Sequence, residues 1–243
     1  MEAQIHELDP RGDVMLELDT WEYATSKDQD ELELAPSDAP NEEPDAPLNG
    51  QHDGTSPSVP GKGKEPISES LSQKIYFRVS SRHLTLASAQ FERRLKECWS
   101  EGHTLRSEGY IEMPVTDCDP EALLTLLNII HGHTRRVPRS LDVESLTKIA
   151  ILVDYYECYE AVEIFSDMWI DRLEGEVPTT YSSELIKWLC ISWVFRKNEI
   201  FRSVTRVAQR QSKGRIEQHE LPISKRVIDE IDQTRLDSIG QDP

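Results

Sequence analysis

Hydrophobic and polar positions alternate over residues 13–18 (DVMLEL), with Val14, Leu16 and Leu18 on one face and Met15 and Glu17 on the other. That spacing predicts a half-buried strand. The same period returns in IYFRV (75–79), where Ile75, Phe77 and Val79 alternate with Tyr76 and Arg78, and YIEM (110–113) before Pro114 predicts a third short strand. Between the first two, residues 24–72 lose the pattern: Asp, Glu, Pro, Ser and Gly dominate and aliphatic residues nearly vanish. Such a stretch cannot bury enough apolar surface to offset its ordering entropy, so it is read as a disordered acidic insertion.

Helical spacing accounts for most of the rest. In SSRHLTLASAQFERRLKECW (80–99), Phe91, Leu95, Cys98 and Trp99 fall on one stripe, with Glu92, Arg93, Arg94, Lys96 and Glu97 on the other side. Asp119 followed by Pro120 is an N-cap with proline at the first helical position, opening a helix over 121–132 that is apolar on nearly all sides and closed by Gly132. Asp142 caps a helix carrying Leu146, Ile149, Ala150, Val153 and Tyr156, and residues 160–173 turn Val162, Phe165, Trp169 and Leu173 inward. After Pro178, Ser182 or Ser183 caps a helix over 184–195, Asn198 caps 199–211, and Pro222 precedes a last helix. The class is α+β, with an all-α C-terminal extension over 181–236. If strands 13–18 and 75–79 form a hairpin, its connection exceeds fifty residues, which against a five-residue turn costs only about 2 kcal/mol of loop closure.

Composition changes this picture by locating the acidity. The net charge of -18 divides into -14 over residues 1–72 and -4 over 73–243. No global positive field attracts a phosphate backbone, so nucleic acid is not expected as a partner. The cysteines at 98, 118, 158 and 190 lack metal or redox spacing and lie within or beside apolar runs. Buried reduced thiols are expected, and with them a cytoplasmic or nuclear compartment. The start MEAQIHELDPRGD has no basic segment or apolar core of a secretory signal, and no apolar run is long enough for a membrane span.

Four segments together resemble a BTB/POZ domain, of the type numerous in filamentous fungi: DPRGDVMLEL (9–18), YFRVSSRHLTLASAQFERRL (76–95), IEMPVTDCDPEALLTLLNIIHGHTRRVP (111–138) and LTKIAILVDYYECYEAVEIFSDMWIDRL (146–173). Phe77, Leu84, Ala87, Ser88 and Phe91 mark the helical corner after the second strand. The resemblance implies a short mixed sheet capped by a helical cluster, built from 9–23 plus 73–175 and interrupted by the acidic insertion 24–72. It implies a module that forms homo- or hetero-oligomers through its first helix and the strand-one region. Many animal members carry a His and a basic residue where this chain has Ser80 and Ser81. Several repressors in the family pair that base with a strand-one Asp to bind co-repressors. Asp13 is present, and Arg82, beside Ser81, is the nearest base to stand in for the missing one.

Other residues carry both a sharp and a plain reading. His131 and His133 flank Gly132 as a metal pair would, but further ligands are missing and Gly132 already serves as a helix end. His83 beside Ser80 and Ser81 lacks a nucleophile elbow and an oxyanion-hole signature, so it is read as a corner residue. No catalytic constellation and no cofactor site emerge, and an enzyme is not expected. Arg202, Arg206 and Arg210, with Lys213 and Arg215 beyond, make a solvated face opposite Phe201, Val204, Val207 and Ala208, or a stripe for an acidic partner, the chain's own N-terminal segment included. Trp188, Trp193 and Phe195 make the 184–195 helix apolar on most sides, to be covered by neighbouring helices or by a partner. The expected function is a non-catalytic protein–protein interaction module whose partner is itself or another BTB protein. An adaptor for a cullin-type ubiquitin ligase and a transcription or chromatin co-regulator are the alternatives.

Overall fold

The computed structural model describes residues 4–19, 74–96, 98–216 and 221–239. The acidic stretch 24–72 lies outside the described residues. Four strands, β1 (Gln4–Glu7), β2 (Val14–Asp19), β3 (Lys74–Val79) and β4 (Ile111–Val115), form one mixed sheet in the order β1-β3-β2-β4. The helices are α1 (Ser81–Ala87), α2 (Ala89–Arg94), α3 (Ser100–Glu108), α4 (Pro120–Ile130), α5 (Val143–Tyr156), α6 (Tyr159–Leu173), α7 (Ser183–Val194), α8 (Asn198–Gln211) and α9 (Lys225–Ile239), with a 3-10 turn at Glu174–Glu176. The fold is α+β, as the periodicities predict.

β2 and β3 pair antiparallel from Val14 opposite Val79 to Asp19 opposite Lys74. Leu16 and Phe77 face each other at its centre, both fully buried. Their alternation follows from the pleat: every second side chain enters the core and the others remain half-exposed. β4 adds to β2 in parallel, Leu16 opposite Met113, and extends past Pro114. Pro114 is accommodated because β4 is an outer strand, where a missing N–H breaks no ladder on the solvent side. β1 is an edge strand that the pattern does not predict. It runs parallel to β3, and the His6 ring stacks on Phe77 at 5.2 Å.

The single helix expected over the segment ending at Trp99 is three pieces. Ser88 takes an extended backbone, its hydroxyl accepts the Phe91 N–H at 3.0 Å and donates to the Tyr156 carbonyl, and the chain turns there into α2. α2 ends at Arg94, so Cys98 and Trp99 never join the Phe91 stripe and are exposed. α3 begins immediately after, with Gly102 packed so tightly that a Cβ would collide with the Lys96 carbonyl. Gly12 plays the same part between β1 and β2, its Cα facing the Val79 carbonyl while its own carbonyl accepts Arg78 Nε at 3.1 Å.

The expected caps on α4 and α5 are present. Asp119 accepts the Glu121 and Ala122 N–H groups at 3.0 Å, and Asp142 accepts that of Ser145 at 2.7 Å. Gly132 closes α4 at φ +72°, with the His133 N–H returning to the Asn128 carbonyl at 2.8 Å, a Schellman closure. Ser182 stands at the N-cap of α7 without a side-chain bond, and Lys197 rather than Asn198 occupies that of α8.

One hydrophobic core runs from Leu8 to Ile231, so the C-terminal helices and the sheet share it. α5 packs on both α4 and α7. Trp188, fully buried, is the largest side chain α7 contributes to that core. Lys187 of α7 adds an ion pair to Glu144 of α5 at 2.6 Å, and Lys197 one to Asp167 of α6. Replacing Trp188 by Ala is expected to lower stability by about 3–5 kcal/mol, with chemical unfolding still a single transition by fluorescence and circular dichroism. Two separated transitions would mean that the C-terminal helices form an independent unit.

Candidate interaction site

The corner where β2 meets the first helix gathers most of the polar residues singled out by sequence. Ser81 opens α1, and both oxygens of Asp13 are spent on it: Oδ1 accepts the Ser81 N–H at 2.7 Å and Oδ2 the Ser81 hydroxyl at 2.6 Å. Asp13 thus satisfies a helix N-terminal donor from sixty-eight residues away in sequence, where Ser80, the N-cap, makes no side-chain bond. Arg82 is exposed and no ion pair joins it to Asp13 among the described residues. Asp13 is therefore met by Ser81, not by Arg82.

His131 secures the other side of the same corner. Its Nε2 accepts the Ser80 N–H at 3.0 Å, and its Nδ1 donates to the Leu127 carbonyl at 2.9 Å, which sets a neutral tautomer. The His83 ring lies 5.0 Å away, tilted by 30°. Neither His131 nitrogen is free for a metal. Among the described residues no group of three His, Cys, Asp or Glu side chains is placed to hold a metal ion.

Burial lowers the His131 pKa below its ordinary value near 6.5, with the nearby His83 and His133 adding to the effect and the Leu127 carbonyl and Asp9 opposing it. A folded-state pKa below the unfolded one means that the unfolded chain binds more protons, so stability rises with pH through this window. The contribution is complete above about 6.5 and is lost as pH falls toward the folded value. His131→Phe orphans the Ser80 N–H and is expected to cost about 1–3 kcal/mol at pH 7.5. Urea unfolding should show the gap to the native protein narrowing at pH 5. A gap independent of pH would show that the imidazole does not titrate with folding.

Two large apolar side chains on α1 and β1 are exposed. Leu86 on α1 is 88% exposed and Ile5 on the β1 edge 56%. Isolated exposed apolar residues are ordinary, but Leu86 sits on a helix of seven residues whose one buried side chain is Leu84.

The arginine stripe of α8 lies away from this corner. Arg202 pairs with Glu199 at 3.0 Å, while Arg206 and Arg210 are exposed and make no ion pair among the described residues. α7 answers both readings of its aromatic residues at once: Trp188 is covered by neighbouring helices, whereas Trp193 stays 39% exposed.

Three cysteines, Cys118, Cys158 and Cys190, are buried, and burial pushes each thiol up to about 12. Cys98 departs from the expectation because the helix that would have buried it stops at Arg94. Titration with a thiol reagent should find Cys98 reacting at once and the other three only on unfolding. Fast reaction of two or more in the native protein would contradict this burial.

Among the described residues no helix is long and apolar enough to cross a membrane. No protein-family model matches the chain, and no curated protein matches it.

Proposed function

We propose that the chain is a non-catalytic protein–protein interaction module with a BTB/POZ-like domain that self-associates, or pairs with another such domain, through the first helix and the adjoining sheet corner. The observation that carries the reading is Leu86, almost wholly exposed on α1 beside a corner where Asp13, Ser81 and His131 are bonded within the chain. A leucine in that position contributes most when a partner covers it. The fold order supports the reading too: β2 and β3 antiparallel, a helical corner carrying Phe77, Leu84, Ser88 and Phe91, an outer parallel strand, then a buried helix and a helical pair. The buried free thiols accord with a reducing cytoplasmic or nuclear compartment.

Sedimentation of the full chain at tens of micromolar is expected to show a dimer, and Leu86→Glu to weaken it at least tenfold while leaving the unfolding midpoint unchanged. A native chain that is strictly monomeric and captures no partner through α1 would defeat the proposal, as would a dimer indifferent to Leu86→Glu.

A further inference from the structure

A second surface, on the C-terminal helices, has a shape and charge that the first does not. The end of α5, the start of α6 and the turn from α7 into α8 line an open cleft of about 510 Å³. That lies within the size range of small-ligand and side-chain pockets, about 300–1,000 Å³. Its lining includes Tyr159, Trp193 and Phe201, with Asp154, Arg196 and Asn198 at the polar side. Trp193 and Phe201 lean together at 5.8 Å, and the Arg196 guanidinium sits 5.6 Å from the centre of the Tyr159 ring. The Tyr159 hydroxyl donates to Asp154 at 2.7 Å, so the carboxylate is occupied from inside. Arg196 holds φ at +55°, an uncommon conformation for a residue with a side chain, found at the turn that shapes the pocket.

The helix that supplies Asn198 and Phe201 also carries Arg202, Arg206 and Arg210, one turn apart each, rising from the pocket rim along its exposed side. The pocket therefore asks for an apolar anchor, and the stripe beside it for carboxylates. One segment of this chain has that composition. Residues 28–34 (DQDELEL) hold four carboxylates, no base, and Leu32 and Leu34.

We infer that the aromatic pocket at the α7–α8 turn and the arginine stripe of α8 form a docking site for the chain's own acidic segment 28–34, with Leu32 and Leu34 entering the pocket and the flanking carboxylates meeting Arg206 and Arg210. The tether is long enough. Leu32 lies thirteen peptide links beyond Asp19, at the end of β2, and extended they span up to about 45 Å. A compact body of this size has a radius of gyration of about 16 Å. Tethering raises the effective concentration of a weak ligand to the millimolar range, so modest contacts suffice. The site does not depend on the self-association of α1, and its test is intramolecular, so the two proposals fail separately.

The test uses the full chain with Cys98→Ser and one engineered cysteine pair, Ala35→Cys with Asn198→Cys at the pocket rim, or Gln29→Cys with Gln209→Cys beside Arg206 and Arg210 should the first variant misfold. The control pair is Ala35→Cys with Gly175→Cys, on the exposed 3-10 turn where an added Cβ meets nothing. Under a glutathione redox buffer at low salt, the rim pair is expected to form an intramolecular disulfide at least tenfold faster than the control. Leu32→Ser with Leu34→Ser, or Arg206→Glu with Arg210→Glu, is expected to bring its rate to that of the control. Equal rates for the two pairs, indifference to both sets of substitutions, or disulfides formed only between molecules would overturn the inference.

Discussion

The antiparallel ladder between β2 and β3 is the contact through which the rest of the sheet is placed. β1 attaches only to β3 and β4 only to β2, so neither has a site until those two have met. The two strands are separated by residues 20–73, and closing that connection rather than a tight turn costs about 2 kcal/mol. Against it stand Val14, Leu16, Leu18, Ile75, Phe77 and Val79, all buried on the inner face. Each contributes roughly 1.5–3 kcal/mol by area, an upper estimate because the unfolded chain already hides part of that surface. Even one or two of these side chains offset the longer connection. The logarithm in loop closure is why a long acidic insertion and a well-registered strand pair coexist.

From that ladder the structure passes to the helices through two polar links at one corner. Asp13 holds the first N–H of α1 from the start of β2, and His131 at the end of α4 holds the N–H of Ser80 from the other side. α4 then packs on α5, and α5 on α7, without a break in the core. The surface ion pairs along this path, such as Lys187 with Glu144, join groups that are partly exposed and count for little beside Trp188 and Leu189. Sheet and C-terminal helices are held together by packing.

What could be read from sequence follows how local its cause is. The caps Asp119 and Asp142, the Gly132 terminus and the alternation of β2 and β3 depend on neighbours within a few residues, and all were legible. α3 was not, because SEGHTLRSE offers a single large apolar residue, Leu105, and its position rests on Gly102 fitting against the Lys96 carbonyl. β1 was hidden for a related reason: Ile5 is exposed and the strand exists by pairing with β3. The break at Ser88 needed the Tyr156 carbonyl, sixty-eight residues on, to accept its hydroxyl. Cys98 was misplaced because α2 stops at Arg94. At the corner, sequence brought Asp13 and Ser81 into one discussion but not into contact, and it pointed to Arg82, which faces water. The role of His131 depended on an amide fifty-one residues away and had no sequence signal beyond its place at a helix end.

The way Asp13 is satisfied bears on what the corner can offer a partner. A carboxylate facing a basic side chain keeps lone pairs and a salt-sensitive charge available at the surface. Here both oxygens are consumed within the chain, by a backbone N–H and a hydroxyl of the same residue, and His131 is likewise closed on two backbone groups. An external ligand at His131 would first have to break a bond that positions α1, and a buried donor left behind costs about 1–3 kcal/mol, whereas each Asp13 oxygen accepts a single bond. Beside these bonded groups α1 exposes hydrocarbon at Leu86, next to the exposed Arg82 and His83. On α8, Arg206 and Arg210 stand free of ion pairs with described residues on a chain whose net charge is -18. The two faces thus differ in kind: one sets an exposed leucine beside polar groups bonded within the chain, the other sets exposed arginines beside aromatic side chains.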